Sequence, residues 1–246
     1  MPDRLRLSLR SWPPALARAL LPSSCALCGA GCGGVVCSAC HCEHVAPRRL
    51  RCRCCANPVG AGGGTRCASC LGGRPAFDAT LAAADYALPL DQLVLQLKFG
   101  GRLALAPWFA RMIADVAHVE RQFELPNVLC PVPLGPERLA GRGFNQALEI
   151  ARPLSKMMGI PLRARLAIRA METAAQSGVA PEQRRDNIRN AFIVAPDALA
   201  MVRGQHIGIV DDVMTSGHTL NELAATFKRF GAARVSNLVF ARTPPH

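Results

Sequence analysis

The stretch from Ile207 to Thr219, IGIVDDVMTSGHT, decides the fold of this chain. Its first four residues are an apolar run with β-branched side chains, which is typical of a buried parallel strand. From Thr219 onward, TLNELAATFKRFG has apolar residues at helical spacing and a glycine that ends the pattern. The sequence therefore predicts a strand, a loop over residues 213–218 and a helix.

The predicted loop has the chemistry of an anion site. At a helix N-terminus the unpaired backbone N–H groups and the helix dipole favour negative charge, and Gly217 lets a phosphate approach the backbone. The residues predicted to bind the phosphate are Val213, Met214, Thr215, Ser216, Gly217, His218 and Thr219. Asp211 and Asp212 come just before this loop, where carboxylates can accept hydrogen bonds from vicinal ribose hydroxyls. The pattern indicates a sugar-phosphate site.

This order of a strand, two acids and a T-x-G-x-T-like loop resembles the phosphoribosyl-pyrophosphate (PRPP) motif of type I phosphoribosyltransferases. It differs from a P-loop, because the Gly-Lys-Ser/Thr ending is absent. The alternative is a plain strand-to-helix turn with acidic capping residues.

Length and composition limit the architecture. With 246 residues the chain can bury a full α/β core and still carry a smaller module. The mean hydropathy is +0.17, yet no apolar run of about 18 residues is free of charges, prolines or polar breaks, so no membrane span is expected. Trp12-Pro13-Pro14 interrupts what would be the apolar segment of a signal peptide. We therefore expect a basic arm, residues 1–24, on a cytoplasmic protein.

The net charge of +12 is unevenly placed. Residues 1–75 hold ten Lys/Arg against two acids, a net charge of +8. Such an excess suits a polyanion, either single-stranded DNA or a phosphorylated substrate. The alternative is a solvated basic face without a specific partner.

Eleven of the 12 cysteines lie between Cys25 and Cys70. Two C-x-x-C turns together can complete a tetrahedral structural zinc site. The predicted ligands are Cys25, Cys28, Cys37, Cys40, Cys52, Cys55, Cys67 and Cys70. The segment is rich in glycine and poor in large apolar residues, so metal must supply its folding energy. Disulfides are the competing interpretation, but without an export signal a reducing compartment favours two structural Zn²⁺ ions.

The spacing leaves the pairing of these turns open. Sequential pairing, with the first two turns on one zinc and the last two on another, needs loops of eight and 11 residues, and crossed pairing fits as well. The spare potential ligands are Cys32, Cys42, Cys54, His41 and His44. The last cysteine, Cys130, lies in an apolar strand and is predicted to be a buried core thiol.

After a linker at 72–75, strands alternate with helices. This order predicts an α/β domain with a parallel sheet, helices on both faces and a ligand crevice at the carboxyl ends of the strands. Strands are expected near 80–87, 127–132, 165–169, 191–194, 207–210 and 234–241, and helices over 89–98, 104–121, 144–158, 181–188 and from 219. The predicted domains are the arm 1–24, a double zinc-ribbon-like module 25–75 and a phosphoribosyltransferase-like domain 76–246.

Four further segments carry a more specific resemblance. They are Lys98–Gly101 (KFGG), Pro131–Leu134 (PVPL), Arg142–Gln146 (RGFNQ) and the stretch 176–192. With the cysteines in front, they resemble the ComF family of ComFC- and GntX-like proteins over nearly the whole chain. The resemblance implies a type I phosphoribosyltransferase-like domain behind a zinc ribbon, in proteins tied to natural competence, DNA uptake or use of external DNA.

The resemblance also implies further ligand contacts. Pro133 and Leu134 follow a strand where type I enzymes hold pyrophosphate, although a simple strand-ending turn explains them equally well. Arg138 and Arg142 suit a diphosphate, since guanidinium groups bind phosphate oxygens bidentately, and a solvated loop is their alternative. Residues 176–185, with Arg184 and Arg185, would form a lid that closes over PRPP.

Two functions follow from these residues. As a transferase, the protein would let an unspecified acceptor displace pyrophosphate from PRPP, with Mg²⁺ on the diphosphate and Asp211 and Asp212 on the ribose. As a non-catalytic accessory protein, it would sense PRPP or a nucleotide while its basic ribbon contacts single-stranded DNA or DNA-processing competence proteins. An aromatic content of 5% offers few stacking platforms for DNA bases.

Overall fold

The computed structural model describes residues 23–45, 49–60, 64–170 and 191–244. The chain divides into two compact units, Met1–Pro47 and Arg48–His246. The domain boundaries predicted from composition, after residues 24 and 75, do not coincide with this division and remain predictions about separate folding. No described helix combines the length and apolar character needed to cross a bilayer.

The smaller unit is built on short elements. Strands β1 (Ser23–Ser24) and β2 (Gly31–Cys32) pair antiparallel, and helix α1 spans Ser38–His44. Within the described residues of this unit, the buried side chains are those of Cys25 and Cys40. Because these are predicted metal ligands, this unit has almost no apolar core apart from its metal site.

The larger unit contains the parallel sheet. Its strands are β3 (Ala79–Asp85), β4 (Val128–Pro131), β5 (Ala167–Arg169), β6 (Phe192–Val194), β7 (His206–Met214) and β8 (Arg234–Arg242). Four of them form a parallel sheet in the order β3-β8-β7-β4, which confirms the predicted fold class. Strands β5 and β6 instead pair antiparallel with each other outside this sheet.

The described helices of the larger unit are α2 (Ala68–Gly72), α3 (Leu90–Lys98), α4 (Leu105–Val119), α5 (Pro136–Arg142), α6 (Gln146–Met158), α7 (Leu199–Val202) and α8 (His218–Arg229). Helices α4, α6 and α8 pack on the parallel sheet. The predicted helices 89–98 and 104–121 are confirmed within two residues, and the helix predicted at 144 begins at Gln146. The predicted helix 181–188 lies outside the described residues.

Sequence reasoning was wrong about α5, which it treated as part of a loop, and it missed α7. Helix α5 begins with Pro136 at its first position, where the missing N–H costs nothing. It ends at Gly143, whose φ of 79° is the left-handed conformation that suits a helix stop. With only seven residues and no buried side chain, α5 lacks the apolar periodicity that predicts longer helices.

The core lies on both faces of the sheet. Phe240 of β8 stacks on Phe109 of α4, with ring centroids 3.8 Å apart. Its neighbour Val239 points to the opposite face, because successive strand residues alternate, and there it belongs to a buried cluster with Leu223 and Phe227 of α8. Both faces are therefore covered by helices, which is why the strand sequences are apolar almost throughout.

Gly208 of β7 lies in a tightly packed part of this core, and replacing it should test that packing. A methyl group there would lie 2.5 Å from Pro126 Cγ, 2.8 Å from Leu129 Cδ2 and 2.9 Å from Leu238 Cδ1. We expect Gly208→Ala to lower the free energy of unfolding by about 1–3 kcal/mol in urea denaturation. Gly141→Ala is the control, because its Cβ would meet nothing within 4 Å and alanine favours the helix. Equal effects of the two substitutions would contradict the packing argument.

Candidate functional site

The loop between β7 and α8 is shorter than predicted. Strand β7 continues through Met214, so Val213 and Met214 belong to the strand and the loop consists of Thr215, Ser216 and Gly217. Gly217 has a φ of 82°, and a Cβ there would lie 2.5 Å from Met214 Cε. The left-handed backbone therefore favours glycine at this position, and the terminal methyl group of Met214 packs against it.

The N-terminus of α8, a 12-residue helix, has no side-chain cap. A helix start leaves backbone N–H groups without partners inside the helix. Thr215 and Ser216 are exposed, and Ser216 Oγ lies 3.1 Å from His218 Nδ1. Thr219 is half-buried in the first turn. Hydroxyl-bearing residues therefore flank the positive end of the helix.

The two acids of β7 have different environments. Asp212 is only 2% exposed, and its Oδ2 lies 2.7 Å from Nζ of Lys98, the last residue of α3. Asp211 is half-buried, and its Oδ1 accepts a hydrogen bond of 2.9 Å from the backbone N–H of Asp212. Sequence reasoning used Lys98 only as part of the KFGG segment and missed it as the counter-ion. The position of this lysine at the end of an amphipathic helix, shortly before Gly100-Gly101, was the sequence signal that could have predicted this role.

Burial and neighbouring charges shift the pKa values of Asp211 and Arg142. Burial, and next the negative charge of Asp212, raise the pKa of Asp211 well above its ordinary value, while Lys98 acts in the opposite direction. Burial lowers the pKa of Arg142, and the charges of Asp212 and Asp211 counteract this. The Arg142 guanidinium therefore lies within the electrostatic field of both acids.

The RGFNQ segment positions Arg142. Its guanidinium lies 5.4 Å from the centre of the Phe99 ring, and Nη1 donates a hydrogen bond to Oε1 of the buried Gln146. Such a cation–π contact and hydrogen bond restrict the rotamers of a long side chain. The structure thus brings Arg142 together with the acids of β7, whereas Arg138 is exposed on α5.

Asn145 ties the same segment to the sheet. Its Oδ1 accepts hydrogen bonds from the backbone N–H groups of Ala147 (2.9 Å) and Leu148 (3.4 Å), which caps α6. Its Nδ2 donates to the carbonyl oxygen of Val132, 3.0 Å away, at the end of β4. One amide therefore fixes the start of α6 against the strand end that precedes Pro133.

The other residues predicted to contact the ligand have no described contact with the acids or the loop. Pro133 and Leu134 are half-buried and follow the end of β4 after Val132, and of the two only Leu134 has a backbone N–H to donate. Arg184, Arg185 and the predicted lid 176–185 lie outside the described residues.

The cysteines form two groups of four by sequential pairing. In each group the four Sγ atoms lie within 4.8 Å of one another. Group 1 is Cys25, Cys28, Cys37 and Cys40, and group 2 is Cys52, Cys55, Cys67 and Cys70. The Sγ atoms of Cys28 and Cys37 are 3.8 Å apart, and those of Cys55 and Cys67 are 3.5 Å apart. A tetrahedron with Zn–S bonds of about 2.3 Å has its sulfurs about 3.8 Å apart, so both groups fit structural zinc.

Backbone N–H groups lower the pKa of one thiol in each cysteine group. Burial by itself would raise the pKa of Cys25, but backbone N–H groups of Cys28, Cys37 and Leu27 lower it to about 6. The same balance brings the pKa of Cys52 to about 7, whereas burial and neighbouring thiols raise the pKa of Cys40 and Cys70. Since the thiolate is the metal-binding form, Cys25 and Cys52 are the thiols that these bonds favour as metal ligands near neutral pH.

The other cysteines are not part of the two groups. The Sγ of Cys32 donates to the carbonyl oxygen of Gly34, and that of Cys54 to the carbonyl oxygen of Phe77. Cys42 is exposed on α1. Cys130 is fully buried in β4, which confirms the predicted core thiol, and burial raises its pKa to about 12.

Residues 144–245 match the family model of the phosphoribosyl transferase domain. Among solved structures, the glutamine PRPP amidotransferase of B. subtilis is 18% identical with a TM-score of 0.37, and the match covers 55% of this chain and 26% of that one. The hypoxanthine phosphoribosyl transferase of Trypanosoma cruzi is 17% identical with a TM-score of 0.33, over 56% of this chain and 62% of that one.

Relatives of similar length share more sequence. The DNA utilization protein YhgH of Escherichia coli K12 is 36% identical over 180 residues, 72% of this chain and 78% of the relative. Competence protein F of Haemophilus influenzae is 31% identical over 183 residues, with the same coverage. This degree of identity over most of both chains, together with the phosphoribosyl transferase domain and the paired cysteine groups, shows that the protein belongs to the ComF family.

Proposed function

We propose that this protein binds PRPP or another ribose phosphate with Mg²⁺ and acts in natural competence or the use of external DNA. The observation that carries this proposal is the uncapped N-terminus of α8, which opens beside exposed Thr215 and Ser216 and follows the acids of β7. The names of its relatives, a DNA utilization protein and a competence protein, support the cellular role. The thiolate-rich cysteine groups are suited to a reducing cytoplasm.

In this proposal the phosphate group is bound by the 215–217 loop and the first turn of α8. The half-buried Asp211 accepts hydrogen bonds from the ribose hydroxyls, while Lys98 holds Asp212 in place behind it. Arg142, and Arg138 on the same helix, supply positive charge for a diphosphate.

Magnesium fits the same group of residues. Mg²⁺ prefers oxygen ligands, and the Asp211 carboxylate is the partly accessible one at this strand end. When bound with the ligand, the ion supplies charge neutralisation of the diphosphate.

Catalysis would need no protein nucleophile. An acceptor displaces pyrophosphate at the anomeric carbon, and the negative charge of the Asp211 and Asp212 pair favours the positive charge that develops on the ribose. Incubation with Mg-PRPP and pooled bases or amines, followed by measurement of released pyrophosphate, tests this step. Binding of PRPP without release for any acceptor would identify the protein as a non-catalytic sensor.

The two acids should affect stability with opposite signs. The folded protein keeps the Asp211 proton above the ordinary pKa of 3.8, whereas the unfolded chain loses it there, so stability falls as the pH rises above that value. Asp211→Asn should therefore raise the free energy of unfolding at pH 7. Asp212→Asn removes the partner of Lys98 and should lower it by about 1–2 kcal/mol.

Measurements of ligand binding distinguish a binding role of Asp211 and Asp212 from a purely structural one. The double substitution Asp211→Asn with Asp212→Asn should weaken Mg-PRPP binding more than about ten-fold in calorimetry. Asp115→Asn, on the exposed face of α4, is the control and should change neither quantity. Absence of any heat or thermal shift with the unaltered protein at millimolar ligand would refute the proposed binding.

Metal analysis tests the two cysteine groups. Protein purified under reducing conditions should contain two Zn²⁺, one in each group of four thiolates. Chelation should unfold α1, since the buried side chains described in the smaller unit are metal ligands. Less than half an equivalent of zinc in reduced protein would contradict the prediction.

A second role, weak binding of single-stranded DNA, is supported by the charge of +8 over residues 1–75. Arg53 and Arg66 are exposed in this region. Replacing both by Gln in the full chain should weaken binding and make the log–log salt slope shallower by about 1.4, at about 0.7 per lost phosphate contact. Arg111→Gln, exposed on α4, is the control. Unchanged affinity and slope would mean that these arginines form only a solvated face.

A further inference from the structure

A buried arginine joins cysteine group 2 to the proposed phosphate loop. Arg242, the last residue of β8, is 7% exposed, and its Nε donates a hydrogen bond of 2.9 Å to the carbonyl oxygen of Cys55. Its Nη1 lies 3.0 Å from the carbonyl oxygen of Met214 and also contacts that of Thr215. One guanidinium therefore binds the backbone of a metal ligand and the entrance of the loop.

Other contacts tie the segment around group 2 to the larger unit. The backbone N–H of Ala76 donates to Oδ1 of Asn221 on α8, at 2.7 Å. The N–H of Thr80 in β3 donates to the carbonyl oxygen of Arg53, at 3.1 Å. Cys52 and Cys70 belong to the same buried cluster as Met214. Group 2 is thus part of the core that supports the site, whereas group 1 belongs to the other compact unit.

An open pocket lies between the loop and group 2. Its volume is about 530 Å³, and it is lined by Cys55 and Cys70 of group 2 and by Ser216, Gly217 and His218. Arg242 also lines this pocket. The hydrogen bonds of Arg242 to Cys55 and Met214 therefore provide a direct link between group 2 and the loop beside this space.

The position of Arg242 depends in turn on the metal. A zinc ion with four thiolates carries a net charge of about −2, which compensates a buried guanidinium. Without the metal, the glycine-containing segment around group 2 loses the ligation that fixes the Cys55 carbonyl, and the arginine loses its counter-charge. The loop would then lose its anchor as well.

We propose that Arg242 is a positioning residue that couples cysteine group 2 to the 215–217 loop, so that metal at group 2 controls ribose-phosphate affinity and metal at group 1 does not. The effect on affinity rests on the proposed function. The effect on the loop itself does not, because it can be measured without ligand. Coupling is reciprocal, so bound ribose phosphate should slow the loss of zinc from group 2.

The two cysteine groups provide a matched pair of variants. Cys37 and Cys67 are both half-buried metal ligands, and each precedes a short helix as its N-cap residue. Serine removes the thiolate but keeps a good capping residue. Cys67→Ser should weaken binding of Mg²⁺ and ribose 5-phosphate by about ten-fold or more in calorimetry, while Cys37→Ser should change it less than about two-fold. Each variant should lose one zinc.

Hydrogen exchange supplies the readout that needs no ligand. Zinc loss in Cys67→Ser should speed exchange at residues 214–217, and Cys37→Ser should leave those amides unchanged. If the unaltered protein binds no ribose phosphate, the proposed function fails while this exchange comparison still decides the coupling. Equal exchange and equal affinity in the two variants would overturn the coupling itself.

Arg242 variants test the arginine directly. Arg242→Gln should retain two zinc ions but bind ribose 5-phosphate about ten-fold more weakly, and adding Cys67→Ser should then have little further effect. Arg242→Lys keeps the positive charge but loses the planar set of N–H donors of the guanidinium. This variant replaces Arg242→Gln in the test if the glutamine variant does not fold. Full additivity of the Arg242 and Cys67 substitutions would refute a coupling through Arg242.

Discussion

Two adjacent carboxylates at the end of a buried strand are the constraint on which the site depends. Asp211 and Asp212 bring negative charge into a poorly solvated place, which is unfavourable without partners. Lys98 at the end of α3 neutralises Asp212, and Arg142 at the end of α5 lies in the field of both acids. The cations at the ends of these two helices therefore offset the charge of the acids.

The two cysteine groups share a spacing but differ in what surrounds them. In the smaller unit the buried side chains described are those of Cys25 and Cys40, which belong to group 1, so this unit has almost no apolar core of its own. In the larger unit Cys52 and Cys70 pack with the side chains of the sheet and α8. The same C-x-x-C pattern therefore stands almost without a core in one unit and is part of the core in the other.

Sequence identity shows the family of this protein, whereas the geometry of the site bears on which ligand it binds. The ComF relatives are named a DNA utilization protein and a competence protein, whereas the uncapped N-terminus of α8 supports our proposal of a phosphate site. In that proposal, the hydrogen bonds of Arg242 to Cys55 and Met214 offer a physical route that links ribose-phosphate binding to cysteine group 2.

The sequence by itself predicted the strand, the two acids and the helix that follows them, because each depends on residues close together in the chain. A β-branched apolar run was sufficient for β7 and helical spacing for α8, whereas the loop proved shorter than predicted and the structure decided the sequential grouping of the cysteines. Only the tertiary structure decided that Lys98 pairs with Asp212, that Asn145 reaches Val132 and that Arg242 joins Cys55 to Met214. These contacts join residues far apart in sequence, and no local pattern encodes which strand end meets which helix end. The packing of the sheet decides it.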